Sequence, residues 1–328
     1  MAIDLLNLEP TTVSRDLKGK YIMIYGVPKC GKTTLGTSFP NSLLLAFEAG
    51  YNGLAGIKVQ PVSKWTELKT ILRQLSNEKV KEAYSCVVID TIDLMVAAAE
   101  KYVCQQNPIK DGNGIEMTPR SILDIPWGKG TAALTKEVDD ALREIAMMGY
   151  GIVLISHSIE KTKSFGSNED IKIEPSVNKK IKLVVNRFVD MILYLKRVVN
   201  PETGEEKRFM FTRDTDEYEA GSRFKYLPSR IEANYDNLVV ALHDAIDKEA
   251  AEKGVAATEL TQNNYKVEKP DFVTVITKAR EMWIKINDAK FCNEIIEDVF
   301  GRPMKLSDAL PTQIELVEEV IARWGEGK

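Results

Sequence analysis

The sequence predicts an α/β protein: a mainly parallel sheet covered by helices on both faces, followed by a small all-α unit. Three observations carry that expectation. Residues 21–34, YIMIYGVPKCGKTT, run an apolar strand straight into a glycine-framed loop. Further short apolar runs, SLLLAF (42–47), CVVID (86–90) and GIVLIS (151–156), alternate with stretches of helical periodicity. Residues 271–324 then carry helical periodicity alone. Uninterrupted apolar strands separated by helices imply right-handed βαβ crossovers and a sheet buried on both faces.

Taken in order, Ile22–Tyr25 is the first buried strand. It feeds Gly26 to Thr33, which fits the P-loop signature G-x-x-x-x-G-K-[ST] in the strand–loop–helix context that gives the motif its meaning. Backbone N–H groups of Gly26, Pro28–Thr34 and their neighbours (Lys29, Cys30, Gly31 among them, Pro28 lacking its N–H) would wrap phosphate, with the positive end of the next helix behind them. Lys32 would reach the β- and γ-phosphates, and Thr33 would place its hydroxyl on Mg²⁺. A chance glycine turn is the competing reading, and the flanking strand and helix argue against it. The second strand ends at Glu48, and residues 64–79 form a helix through Trp65, Leu68, Leu72 and Leu75. CVVID closes on Asp90, the Walker B pattern, whose carboxylate serves Mg²⁺. Asp93, one turn on, reads as a solvated or helix-terminal carboxylate.

A helix to about Cys104, a Pro/Gly/Asp-rich loop at 107–129 and a helix from Thr131 to Met148 come next. GIVLIS leads to His157. Residues 158–187 are polar and lysine-rich. RFVDMILYLKRVV (187–199) and KRFMFTR (207–213) read as a hairpin extending the sheet. A helix spans about 236–253, followed by a linker. The expected domains are 1–254, a linker at 255–270, and a helical unit at 271–328, where Trp283, Ile284, Phe291, Ile295, Ile296, Val299 and Phe300 form the core and Ser307 caps a later helix.

Composition narrows the function class. The 328-residue chain is 44% hydrophobic with a net charge of −4. Residues 1–230 hold 32 Lys and Arg against 29 Asp and Glu, and residues 231–328 hold 12 against 19, so a mildly basic body precedes an acidic end. MAIDLLNLEP lacks the features of a signal peptide, and no apolar run is long enough to span a membrane. Four scattered cysteines and two histidines offer neither disulfide nor zinc spacing, which fits a reducing cytoplasm.

Hydrolysis needs a group to orient or deprotonate water. Glu48 is the first choice, because it ends a strand at the ligand-binding edge of the sheet. A solvent-exposed capping Glu is the plain alternative. His157, after the later strand, is placed to contact the γ-phosphate; a satisfied core-edge histidine is its alternative.

This arrangement resembles the ATPase core of RecA-type recombinases. More closely, GVPKCGKTTL, NSLLLAFEAG, CVVIDTIDLM, IPWGKG, GIVLISHSIEK and GSRFKYLP resemble phage-encoded P-loop ATPases of the RecA-like Sak group, a class of single-strand annealing proteins. The resemblance covers residues 20 to about 230. It implies a RecA-like P-loop NTPase core plus a small C-terminal all-α domain, use of ATP, and location in the cytoplasm of a bacterial host. It implies single-stranded DNA as partner, facing the segments 107–129 and 158–182. Candidate DNA contacts there are Trp127, Lys129, Lys161, Lys163, Phe165, Lys172, Lys179, Lys180 and Lys182; a solvated, aromatic-anchored loop is the alternative. It further implies self-association, with Arg223 or Arg213 as a finger acting on a neighbouring copy, or else as surface ion-pair residues. The acidic helical end suggests docking to a replication or single-strand-binding protein. A P-loop ATPase acting on a protein partner, such as a helicase loader or assembly factor, is the competing function. A nucleotide-gated binding module with negligible turnover is a third.

Overall fold

The computed structural model describes residues 13–165, 168–255, 257–258 and 271–326, with side chains between 163 and 170 left undescribed. Contacts divide the chain into Met1–Lys266 and Val267–Lys328. The expected linker at 255–270 lies almost wholly outside the described residues.

The larger unit begins with β1 (Tyr21–Gly26), α1 (Lys32–Thr37), β2 (Ser42–Ala46), β3 (Lys58–Pro61), α2 (Trp65–Leu75), α3 (Glu78–Ala83), β4 (Cys86–Asp90) and α4 (Ile92–Gln106). A two-stranded ribbon, β5 (Ile109–Lys110) and β6 (Glu116–Met117), and two 3₁₀ turns fill the expected 107–129 loop. Then come α5 (Lys129–Met147), β7 (Gly151–Phe165), β8 (Asn168–Pro175), α6 (Lys179–Phe188), β9 (Met191–Val199), β10 (Glu206–Phe211), β11 (Gly221–Ser222), β12 (Arg230–Glu232) and α7 (Tyr235–Lys253). The strand order is β12-β10-β9-β1-β7-β4-β2-β3. From β9 to β3 the strands are parallel, while β10 and β12 add antiparallel edges. No helix among the described residues is long and apolar enough to cross a membrane.

Alternation along each strand explains the two layers. Met23, Val87, Ile89, Ile152 and Leu154 pack on one face with α2, α4, α5 and α6. Ile22, Ile24, Val88, Val153 and Ile155 pack on the other with α1 and α7. Because both faces are covered, the central strands read as unbroken apolar runs, and this is why the sequence exposes them.

The segment from 158 to 182, expected as a mobile loop, is corrected by the structure. It is not a loop. Strand β7 continues past His157 to Phe165 and pairs antiparallel with β8, Ser158 facing Pro175. Helix α6 follows, with Asn178 accepting the Ile181 N–H as its cap, so residues 187–188 end a helix rather than begin a strand. Sequence alone hid the ribbon because its neighbours supply what its composition lacks. Glu174 accepts from Lys161 at 2.8 Å and Lys182 at 2.7 Å, Lys182 also pairs with Glu219, and Lys172 pairs with Asp214 at 2.9 Å.

The smaller unit consists of α8 (Phe272–Ile286), α9 (Ala289–Phe300) and α10 (Ile314–Glu326). Val275, Ala279, Cys292, Ile296, Val317, Val320 and Trp324 form its core, and Trp283 meets Trp324 edge-on at 5.7 Å. Two expectations change. Ile284 is 74% exposed, and Ser307 lies in a 3₁₀ turn, the helix starting only at Ile314 behind Pro311.

The Glu174 cluster has a measurable signature. Burial pushes this carboxyl up, but hydrogen bonds from Lys161 and Lys182 outweigh that and bring it down from 4.5 to about 2. A depressed folded-state value stabilises the fold above pH 4.5 and ceases to do so as pH falls toward 2. Glu174→Gln should therefore be less stable than the native protein at neutral pH, by on the order of 2–3 kcal/mol. Chemical denaturation at a series of pH values should show the difference shrinking across that acid window.

Candidate nucleotide site at the C-terminal edge of the sheet

Register brings the site together. β7 lies between β1 and β4, with Gly26 opposite His157 and Asp90 opposite Ile155; Asp90 in turn faces Ala46 of β2. The P-loop, Asp90, Glu48 and His157 thus emerge at one edge, where parallel α/β sheets bind ligands.

The loop after β1 is tightly specified. A Cβ on Gly26 would stand 2.4 Å from the carbonyl oxygen of Leu195 on β9, so only glycine permits this approach. Lys29 takes φ 62° and Gly31 φ 99° as the backbone coils. Left-handed backbone in a residue with a side chain costs on the order of 1 kcal/mol or more, and such strain clusters at functional sites. The Lys32 side chain is buried, and its ammonium donates to the carbonyls of Gly26 at 3.0 Å and Val27 at 2.9 Å. Cys30 is fully buried; Pro28, Lys29 and Thr34 complete the turn.

Thr33 Oγ1 donates to Asp90 Oδ2 at 2.6 Å. Asp90 is 5% exposed; burial raises its pKa, the Thr33 hydrogen bond works against that, and the charge of Glu48 adds to the rise. A hydroxyl and a buried carboxylate set side by side are oxygen donors suited to a hard cation such as Mg²⁺. The Asp90 carbonyl also accepts the N–H groups of Phe47 at 2.7 Å and Glu48 at 3.1 Å. That pair of bonds delivers Glu48 to the edge.

Glu48 Oε2 lies 3.2 Å from His157 Nε2. The other ring nitrogen, Nδ1, is buried without a hydrogen-bond partner among the described residues. Beside Glu48 opens a cavity of about 700 Å³ walled by Tyr51, Gln60, Thr66 and Ile71.

Of the two readings of Asp93 the helix-terminal one holds: it lies in the first turn of α4, and its carboxylate is engaged by protein groups. It accepts from Ser176 Oγ at 2.6 Å, Ser156 Oγ at 3.3 Å and the His157 N–H at 3.3 Å. Sequence reasoning missed this role because Ser176 comes from β8's end, a neighbour that only the ribbon supplies. The D-T-I-D spacing, one helical turn, was the available signal.

The two arginines considered as fingers are engaged within their own chain. Arg213 donates to the carbonyls of Phe224 at 2.9 Å, Lys225 at 2.7 Å and Leu227 at 3.0 Å. Arg223 pairs with Asp190 at 3.1 Å and donates to the Arg187 carbonyl. Of the expected DNA contacts, Lys161, Lys172 and Lys182 are ion-paired as described above, and the side chains of Lys163 and Phe165 lie outside the described residues. Lys129, Lys179 and Lys180 are exposed, and Trp127 is 93% exposed at φ 62°, in a turn closed by Gly128.

Removing the Asp93 carboxylate takes the acceptor from the Ser176 hydroxyl and the His157 N–H, while Ser156 Oγ keeps the His157 carbonyl at 3.1 Å. Asp93→Ala should lower stability by about 1–3 kcal/mol. Calorimetric titration should still show nucleotide binding, since Lys32 and Thr33 are untouched.

Comparison with known proteins agrees with this geometry. The AAA domain family model matches residues 18–224, a span holding the P-loop, Glu48, Asp90, Asp93 and His157. The chain is similar to the SPbeta prophage-derived uncharacterized protein YorG of Bacillus subtilis (strain 168), with 29% identity over 335 aligned positions covering 98% of this chain and 97% of that protein. It is similar more locally to the teichoic acids export ATP-binding protein TagH of Bacillus anthracis, 27% identical over 168 positions, which cover 45% of this chain and 29% of TagH. A P-loop ATPase fold, a phosphate loop facing a buried Walker B carboxylate, and a family match over most of the chain lead to one conclusion: this protein belongs to the AAA domain family.

Proposed function

We propose that this protein is a phage-type RecA-like ATPase of the Sak single-strand annealing group, which hydrolyses ATP with Mg²⁺, binds single-stranded DNA and promotes recombination or strand annealing inside a bacterial host. The observation that carries the reading is the Glu48–His157 pair set beside Thr33 and Asp90, on a strand that runs on into the β7–β8 ribbon. The names of the relatives support its two halves: one is prophage-derived, the other ATP-binding.

In this reading Lys32 exchanges its two loop carbonyls for phosphate oxygens and neutralises their charge. Thr33 and Asp90 would hold Mg²⁺, which when bound would supply further neutralisation of the phosphates. Glu48 orients the attacking water and takes up its proton. His157 holds Glu48 in place and, through its backbone bonds to Asp93 and Ser176, ties the site to the root of the ribbon.

DNA recognition would centre on the groove along α5. A cavity of about 1200 Å³ runs from Gly128 to Gly149 between α5 and α6, and Lys180 and Arg187 on its wall have no ion pair among the described residues. Trp127, 93% exposed, directly precedes Gly128 of its wall. Base stacking on such a ring contributes about 1–3 kcal/mol regardless of sequence. A finger role for Arg223 or Arg213 in a self-associated form would require either to leave its present carbonyl and carboxylate partners. The acidic helical unit remains the candidate for docking a replication or single-strand-binding protein.

One observation favours the protein-partner alternative, a helicase loader or assembly factor: three lysines of the expected DNA segment are already neutralised by Glu174, Glu219 and Asp214. Hydrolysis measured with and without single-stranded DNA at two salt concentrations separates the readings. Several-fold stimulation that fades with salt is expected; indifference to DNA, with no DNA retained at low salt, would move the assignment to the alternative. Glu48→Gln should lose about 10²–10⁴-fold in turnover while keeping ATP affinity. In DNA-binding titrations, Lys180→Ala and Arg187→Ala should each flatten the log–log salt slope by about 0.7, and Trp127→Ala should weaken binding without changing that slope.

A further inference from the structure

The β9–β10 hairpin places two arginines on the face of the sheet that carries α1. Arg197 and Arg208 are directly opposite each other across the antiparallel pair, flanking the register position of Leu195 and Met210, which point into the α1-side core. Like charges directly opposite in a ladder repel. One carboxylate offsets them in part: Glu206 lies 3.4 Å from Arg197, on an exposed edge. The Arg208 guanidinium has no ion pair or hydrogen bond among the described residues.

What Arg208 touches is the phosphate loop. A Cβ on Gly31 would stand 2.3 Å from Nη1, 3.4 Å from Cζ and 3.6 Å from Cδ of Arg208, so the guanidinium lies against the loop glycine immediately before Lys32. Arg197, opposite Arg208 in the ladder, adds positive charge near the same loop. Burial pushes the Cys30 thiol up, while the charges of Lys32 and Arg197 pull it back. An unpaired guanidinium held against a loop built to wrap phosphate, with a second one opposite it in the ladder, is consistent with an anion completing the set.

We propose that Arg208, supported by Arg197, is a nucleotide-binding residue that clamps the phosphate chain from within the same chain, at the α/β end of the loop. Gly31 contributes a backbone N–H to the cradle of the α/β-phosphates, whereas Lys32 reaches the β/γ end. Arginine suits this place because its planar fork can span two phosphate oxygens at once. The proposal rests on the nucleotide-binding reading and adds that ADP and ATP are gripped by the clamp alike, since both keep the phosphates it meets.

The test is calorimetric titration of the full chain with ADP and with a non-hydrolysable ATP analogue, each with Mg²⁺, for the native protein and for Lys32→Ala, Arg208→Ala, Arg208→Lys and Arg197→Ala. Thermal melting checks that each variant folds, and Arg208→Gln replaces Arg208→Ala should that variant fail to fold. Arg208→Ala should lose about tenfold in affinity for both nucleotides, the loss expected for one charge-assisted contact. Arg208→Lys should recover part of it, and Arg197→Ala should lose less. Lys32→Ala should lose more for the ATP analogue than for ADP. Native ADP affinity in Arg208→Ala, with binding lost in Lys32→Ala, overturns the clamp and leaves the nucleotide site standing. Native affinity in Lys32→Ala overturns the nucleotide reading itself.

Discussion

Asp90 is the group on which the arrangement of the site depends. A carboxylate with 5% exposure is tolerated in a protein interior only when its oxygens are engaged, and here the hydroxyl of Thr33 engages one of them at 2.6 Å. That bond joins the first turn after the phosphate loop to the end of β4. The carbonyl of the same residue accepts two consecutive N–H groups, those of Phe47 and Glu48, and so fixes where β2 delivers its terminal glutamate. Loop, cation donors and candidate base are therefore positioned by one residue through side chain and main chain together. β7 lies between β1 and β4, which sets His157 within reach of Glu48.

The long ribbon grows out of this edge. β7 is at once a central strand of the sheet, up to His157, and the first arm of a two-stranded projection beyond it. Asp93, held at the start of α4, binds both sides of the transition: the His157 N–H and Ser156 on the outgoing arm, and Ser176 on the return. A change in the Glu48–His157 pair has a short covalent route into the ribbon, with no flexible linker between. At its base Glu174, Lys161, Lys182 and Glu219 form a largely buried alternation of charges, which stiffens the projection and consumes the lysines that made the segment look like a free basic loop. Neutralised cations contribute little to long-range attraction for a polyanion, whereas Lys180 and Arg187 have no ion pair among the described residues.

The positive charge of the larger unit is thus divided by geometry rather than by composition. Part of it is internal to the ribbon, part lines the groove beside α5, and part, Arg208 with Arg197 opposite it, lies on the β9–β10 hairpin, Arg208 against the phosphate loop. These sets lie in different segments and have different partners, although a net charge counted over residues 1–230 treats them as one.

How much of this was legible beforehand follows from which interactions are local. The P-loop, the strand ending in Asp90, Glu48 after SLLLAF and the helical end were all visible, because a strand buried on both faces must be continuously apolar and a phosphate loop must be rich in glycine whatever surrounds it. The AAA domain match spans the P-loop, Glu48 and Asp90, and ends before the helical unit. The ribbon at 158–175 was not visible, because its polar residues are satisfied by Glu219 and Asp214, which approach only when β9, β10 and the segment after them fold back beside it. Nor was the acceptor role of Asp93, which waits on Ser176, or the approach of Arg208 to Gly31, which is set by the register of β10 on β9. Sequence by itself determined which segments are buried strands and where a phosphate can be wrapped, since those depend on near neighbours along the chain. Tertiary structure alone decided which charges pair and which face the loop, because a charge's partner is settled by distance in space, and here those distances are closed by residues scores of positions away.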